Sequence, residues 1–166
     1  MLYSPKTLIN ALILRPYTSE DWATVCRIHD VARVQELAAG GVDSRAFRPM
    51  IEVAAVDEFF DSQVTLACHA DRIIGFIAWN GTYITWLYVD SEFQRCGIGW
   101  QLLQCALQQI GPGAWTHAIA GNEPAIALYR RAGLEIVETW PSDCEGYACE
   151  VVHLALPISS INEPNS

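Results

Sequence analysis

Gln94-Arg95-Cys96-Gly97-Ile98-Gly99 follow an apolar run, Tyr83 to Val89, and precede a stretch with helical periodicity. A strand, a glycine-rich turn and a helix N-terminus in that order make an anion site. Glycines let the backbone approach a phosphate, and the first N–H groups of the helix point at it without partners of their own. A glycine pair alone is explained equally well by a tight turn. A second segment, Asn122 to Leu134, changes that balance. Asn122 is placed as an N-cap, and Pro124 falls in the first turn, where its missing N–H costs little. Arg130 and Arg131 close the last turn, and Gly133 stands where such a helix stops. Within this segment Tyr129 carries a phenol of pKa about 10 that can donate to a developing anion. His117, five residues before Asn122, can accept a proton near neutral pH. A histidine on a strand is also commonly just a hydrogen-bonded side chain.

Taken together, the two segments resemble the Gcn5-related N-acetyltransferase superfamily. Its cofactor loop reads Gln/Arg-x-x-Gly-x-Gly/Ala, met here by Gln94, Gly97 and Gly99. Its later helix has an asparagine, a small residue three on, a tyrosine and a glycine, met by Asn122, Ala125, Tyr129 and Gly133. The resemblance implies transfer of acetyl from acetyl-coenzyme A to a primary amine by direct attack. It implies that Gln94, Arg95, Cys96, Gly97, Ile98, Gly99 and Trp100 hold the pyrophosphate through backbone N–H groups. It implies that Leu87, Tyr88 and Val89 pair with the pantetheine arm like an extra strand, one N–H (that of Leu87) facing the thioester oxygen. Asn122, with Ala125 on the same helix, is expected both to cap that helix and to face the arm. Tyr129 is the family's usual general acid. In relatives resembling the ribosomal-protein N-terminal acetyltransferases a glutamate base occupies the position of His117.

Two features qualify that picture. Many relatives carry a second basic residue where this chain has Cys96, so the loop keeps Arg95 as its one fixed charge and weaker cofactor affinity is expected. Cys96 is also placed to form a mixed disulfide with coenzyme A. Arg130 and Arg131 are candidates for the 3′-phosphate of the cofactor, or are surface charges that complement the helix dipole. Asp57, Glu58 and Asp61 form an acidic cluster that would hold a cationic amine, or simply a solvated helix end. The acceptor class stays open: a small metabolite, a polyamine or aminoglycoside-like cation, or a protein N-terminus. The alternative to an enzyme is a catalytically weak coenzyme A-binding sensor or partner module. A nucleotide-binding domain lacks its Walker lysine here.

The elements that must position these residues are read from periodicity. Residues 1–11 are expected to be irregular, residues 12–156 one acetyltransferase domain, and residues 157–166 a polar tail. Ile13 to Arg15 predict a strand. Ser19 opens a helix, a second helical stretch runs from Val31 to Ala39, and a third from Met50 to Phe60. Val64–His69, Arg72–Trp79 and Tyr83–Val89 predict strands, with Asn80-Gly81 as a hairpin signal between the last two. Ile98 to Ile110 predict the loop helix, and Trp115–Ala120 a strand parallel to Tyr83–Val89 through a right-handed crossover. Glu135–Trp140 and Tyr147–Leu156 predict a final hairpin. The fold class is therefore α/β (α+β), a mixed and mostly antiparallel sheet flanked by helices.

Composition sets the outer limits. The chain has 166 residues, a formal charge of −9, 51% hydrophobic and 17% charged residues. That suits a globular domain with a proper core. The acidic balance argues against nucleic acid and anionic membranes and is compatible with a cationic substrate. Six cysteines show neither a C-x-x-C pair nor zinc spacing, so no metal is expected. Absence of a signal peptide or membrane span points to reducing cytoplasm and free thiols. Cys144 and Cys149 flank the last turn and could approach each other. Homodimers are common in the family.

Overall fold

The computed structural model describes residues 4–158. Seven strands form one sheet: β1 (Ile13–Pro16), β2 (Gln63–His69), β3 (Arg72–Asn80), β4 (Tyr83–Val89), β5 (Trp115–Ile119), β6 (Glu135–Cys144) and β7 (Tyr147–Ala155). Their spatial order is β1-β2-β3-β4-β5-β7-β6. Neighbours run antiparallel except β4 and β5, which are parallel. Among the described residues five α-helices accompany them: α1 (Pro5–Asn10), α2 (Trp22–Ala39), α3 (Met50–Val53), α4 (Ile98–Ile110) and α5 (Glu123–Arg131).

β3 reads as a nearly continuous apolar run because both its faces are covered. On one side Ile74 and Ile77 join Leu8 of α1, Ile98 and Leu102 of α4, and Ile126 and Tyr129 of α5 in one core. On the other, Phe76 and Ala78 join Val25 and Ile28 of α2, Met50 of α3, Phe59 and Trp86. The mixed α/β sheet flanked by helices is thus the architecture expected from the sequence.

The site depends on one irregularity in this sheet. β4 and β5 meet at a single register pair, Tyr83 with Trp115. The Thr116 hydroxyl donates to the Ile84 carbonyl at 3.0 Å, and beyond that point the strands part. One edge of Thr85 to Val89 is left facing a cleft, with α4 and α5 opposite.

Several local expectations need correction. Residues 5–10 of the segment read as irregular form α1, because Pro5 suits a first turn and Leu8 finds a buried place. The two helical stretches between Ser19 and Ala39 are one helix: the polar residues near Asp30 are met by tertiary partners and do not break it. The stretch from Met50 shortens to one turn and ends in hydrogen-bonded turns, with Glu58 in a left-handed conformation (φ 64°). Asn80 pairs with Tyr83, so the hairpin turns through Gly81-Thr82, where Gly81 takes φ +57°. β6 continues through Ser142 to Cys144, and the last turn tightens to Glu145-Gly146. Of the C-terminal tail, residues 159–166 lie outside the described residues.

Candidate active site

The loop after β4 is held from both sides. Asp90, 3% exposed, accepts from Arg27 at 3.0 Å, Arg72 at 3.2 Å and the Glu92 N–H at 3.1 Å. Burial alone would raise its carboxyl, but these donors outweigh it and hold it below the usual range. The Gln94 amide donates to Gln35 of α2 at 2.8 Å and so ties the loop across the cleft. Arg95 and Gly97 both take positive φ, +60° and +85°; at Gly97 only glycine adopts this without strain. A Cβ on Gly99 would lie 3.2 Å from Leu128 Cδ2, so the third residue of the pattern is small to let α4 and α5 approach. The first bond of α4 is Gln101 N–H to Gly97 C=O. The N–H groups of Ile98, Gly99 and Trp100 therefore have no helical acceptor.

These residues line a cavity of about 550 Å³. Leu87, Tyr88 and Val89 form one wall; Gln94, Arg95, Gly97, Ile98, Gly99 and Trp100 form the end; Asn122, Ala125, Leu128 and Tyr129 form the other wall. Arg131 also lines it, its guanidinium 4.0 Å from the Trp100 ring centroid. Arg130 does not. Cys96 does not either: its side chain packs against the core beneath the loop, away from the cavity. That turns the thiol from the place a mixed disulfide with a bound cofactor requires. Asn122 occupies the N-cap position, but its side chain makes no capping bond, at φ −80° and ψ 68°. It lines the cavity instead. Unpaired helix N–H groups, two arginines and a free strand edge around this volume suit an extended phosphate-bearing ligand.

A second cavity of about 520 Å³ opens on the other side of β4. It shares Glu36, Thr85, Trp86, Tyr88 and His117 with the first. Its wall also carries His29, Arg33, Arg48, Asp57, Glu58, Asp143 and Glu145. Arg33 pairs with Glu36 at 2.8 Å and Arg48 approaches Glu145 at 3.8 Å, which leaves the wall net acidic. Burial and the neighbouring Glu145 push the Asp57 carboxyl up, the mark of a carboxylate short of cations. Asp61 is not part of this wall. The β6–β7 hairpin that supplies Asp143 and Glu145 brings Cys144 and Cys149 together, Sγ to Sγ 3.2 Å. Both are free thiols, and burial followed by the contact with Cys144 pushes Cys149 up to about 11.

Tyr129 is 6% exposed. Burial holds its phenol well above the ordinary value, against a hydrogen bond with Thr116. His117 projects from β5 at the junction of the two cavities, between Trp140 and His153 with ring centroids 5.2 Å away in each case. Partial burial and then His153 hold it below its ordinary pKa.

Sequence reading passed over the polar stripe of α2. His29, Arg33 and Glu36 recur at i, i+4 and i+7, so one helix face presents them together to β4. Glu36 accepts from the Tyr88 hydroxyl at 2.7 Å and from Arg33 at 2.8 Å. Burial and Glu36 keep the Tyr88 phenol protonated. The spacing was a usable signal: charged residues repeating on the face that otherwise buries Val25, Ile28 and Ala32.

The family model for the acetyltransferase (GNAT) domain matches residues 60–135. Among curated relatives, the peptidyl-lysine N-acetyltransferase YjaB of Escherichia coli is 27% identical over 85 residues, 51% of this chain and 57% of that protein. The chain thus spans little more than half of that relative's length. A GCN5-related N-acetyltransferase from Rhodopseudomonas palustris superposes with TM-score 0.70 at 18% identity, covering 88% of this chain and 95% of the other. yncA from Salmonella typhimurium, solved with its cofactor acetyl-CoA, gives 0.69 at 16% identity over 95% and 99% of the two chains. Among the described residues no cluster of three or more metal-ligating side chains occurs, and no helix is long and apolar enough to cross a membrane. The family-model match over residues 60–135, the loop pattern and the shared fold make this chain similar to the Gcn5-related N-acetyltransferases.

Proposed function

We propose that this protein is an acetyl-CoA-dependent N-acetyltransferase acting on a positively charged primary amine. The observation that carries this reading is the meeting of two cavities at Thr85, Trp86, Tyr88, Glu36 and His117. One suits a phosphate-bearing donor, the other is acidic, and their shared wall is where the two substrates touch.

Acetyl-CoA, when bound, supplies an acetyl group activated as a thioester. In this reading the N–H groups opening α4 hold its pyrophosphate, Arg95 and Arg131 add positive charge, and the free edge of β4 receives the pantetheine arm. A backbone N–H of that edge, assigned to Leu87, polarises the carbonyl as charge develops on oxygen. Asn122 and Ala125 flank the arm from α5. Tyr129 donates a hydrogen bond to the leaving sulfur. Its raised pKa makes it a donor that keeps its proton in the resting enzyme, and full transfer to a thiolate is uphill. His117 lines the mouth common to both cavities, at the position for which the resemblance implies a base.

The acceptor enters through the second cavity. Asp57, Glu58, Asp143 and Glu145 attract a cation and disfavour an acceptor with a carboxylate near its amine. A lysine side chain, as in the name of the Escherichia coli relative, a polyamine and a protein N-terminus all meet this requirement.

The test is release of coenzyme A thiol from acetyl-CoA across 1,4-diaminobutane, spermidine, a lysine-containing peptide, a peptide with a free N-terminus and an amino acid. Release dependent on a cationic amine is expected. Binding of acetyl-CoA with no release from any acceptor would instead favour a coenzyme A-binding module.

A further inference from the structure

Two histidines face the second cavity, and they are held very differently. His117 is exposed on β5, set among aromatic rings, and its imidazole makes no hydrogen bond among the described residues. Neither its tautomer nor its ring plane is fixed by a polar partner. His29 sits on α2 and is 1% exposed. Its Nδ1 lies 2.8 Å from Asp30 Oδ1, and the same oxygen accepts the Met50 backbone N–H at 2.7 Å. The carboxylate is thereby anchored to α3. The imidazole stands edge-on to Trp86 and Tyr88, with centroids 5.2 and 5.0 Å apart. Those two rings belong to the wall shared by both cavities. His29 Nε2 has no hydrogen-bond partner among the described residues, and the side chain lines the second cavity.

An acceptor carboxylate on Nδ1 selects the tautomer with its proton there, so Nε2 presents a lone pair. The same carboxylate stabilises the imidazolium once Nε2 gains a proton. Resting on the acetyltransferase reading, we propose that His29, and not His117 at the shared mouth, is the proton acceptor for the incoming amine and that Asp30 is the residue that positions it.

The step balances as follows. The ammonium gives one proton to His29 Nε2, and the freed nitrogen pair attacks the acetyl carbonyl carbon. The N–C bond forms and the C–S bond breaks, its electron pair leaving on the coenzyme A sulfur. The acetylated nitrogen, still carrying an extra proton, loses it, and the sulfur takes up one proton with Tyr129 as donor or relay. One proton, held by His29, is returned to solvent. Net, an ammonium and acetyl-CoA give an acetamide, the free thiol and a proton.

The groups that set the basicity of His29 come from every element around it. Asp30, Arg33 and Glu36 lie on α2, Tyr88 on β4 and Asp57 after α3; His117, Arg48, Glu58, Asp143 and Glu145 share the cavity. Burial lowers its pKa and Asp30 acts against that, so the ring is neutral and ready to accept at physiological pH.

The experiment compares the pH profile of kcat/KM for the wild type, His29→Gln, Asp30→Asn and His117→Gln, with the fastest of the five acceptors above. The wild type should lose activity only at a pH below the ordinary histidine range, as the base becomes protonated. His29→Gln should lower kcat roughly a hundredfold and abolish that acidic limb, with acetyl-CoA affinity unchanged. Asp30→Asn should lower kcat less and move the limb to lower pH, because the imidazolium loses its counter-charge. His117→Gln alters the wall shared by both cavities and should lower kcat/KM, but the acidic limb should remain. A wild-type enzyme whose rate and limb survive in His29→Gln overturns this proposal alone; a wild type with no amine-dependent release overturns the acetyltransferase reading with it. Should His29→Gln not fold, ring nitrogen NMR of the wild type decides. Nε2 without a proton at pH 7.5, and a shift when the same amine saturates the protein, are expected. A proton on Nε2, or no response, overturns the assignment.

Discussion

The first cavity draws its donors from one nearly continuous stretch, Leu87 to Trp100, with the start of α5 opposite. The second gathers its wall from segments scattered between His29 and Val151. The first works mainly through backbone: a strand edge, a turn with positive φ at Arg95 and Gly97, and unpaired helix N–H groups. The second works through side chains, mostly carboxylates. A ligand made of phosphates and amides is met by geometry that any chain adopts if glycine stands at a few positions. A variable amine is met by charges that can be exchanged without touching the fold. In the proposed reading, the donor side is tied to local backbone conformation, whereas acceptor choice rests on side chains from α2, the turns after α3, β4 and the β6–β7 hairpin.

That contrast can be broken by variants that confuse the two sides. The largest effect is expected for Tyr129→Phe, which removes a donor and little volume. kcat should fall roughly a hundredfold while acetyl-CoA affinity, measured by calorimetry, stays as in the wild type. Equal loss of affinity would make Tyr129 a packing residue only. Because burial raises this phenol, its hydroxyl stays protonated through the alkaline range, and no loss of rate from Tyr129 should appear below pH 10.

Gly97→Val comes next. A β-branched residue at φ +85° carries roughly 1–3 kcal/mol of strain, so acetyl-CoA should bind about tenfold more weakly. KM for the amine should not follow. A parallel rise in both constants would show that the sides are mechanically linked through the Gln94–Gln35 bond.

Asp57→Asn probes the second cavity. Its effect is smaller because the group is partly exposed: KM for a polyamine should rise about two- to fivefold, less at high salt, with acetyl-CoA affinity unchanged. The raised carboxyl adds a pH signature. Asp57 loses its charge at a higher pH than an ordinary carboxylate, so KM in the wild type should begin to climb on acidification above the ordinary carboxylate range. The variant should flatten that climb.

The smallest change is expected for Arg131→Ala, which removes a guanidinium stacked on Trp100. About twofold weaker acetyl-CoA binding, lost at high salt, is the expected result. An effect confined to kcat would place Arg131 outside cofactor binding.

The legible parts of the molecule were those with local causes. β4 was read with its observed ends because β-branched and aromatic residues run without interruption from Tyr83 to Val89. α4 was read because Gly97 and Gly111 bracket a stretch whose apolar residues fall on one face. Asn122 was read as a cap and sits at that position, but its side chain makes no capping bond and lines the cavity. Cys96 was read as a loop thiol near the cofactor and turns into the core, a direction that sequence spacing does not record. His29 lies among the buried residues of α2, with Val25, Ile28 and Ala32. Only its neighbours, Asp30 at Nδ1 and the rings of Trp86 and Tyr88, set it apart.

By itself the sequence determined the strand–turn–helix that opens α4, the second helix carrying Tyr129, and the alternation of strands and helices around them. These follow from periodicity, caps and positive-φ glycines, all of which act within a few residues. Tertiary structure alone decided that β4 and β5 part after Tyr83 and Trp115, and that a second cavity meets the first across Tyr88 and Glu36. It alone brought carboxylates from the residues near 57 and near 145 to one wall beside His29. Such contacts join residues many positions apart, and they exist only once the two cores have closed on the two faces of the sheet.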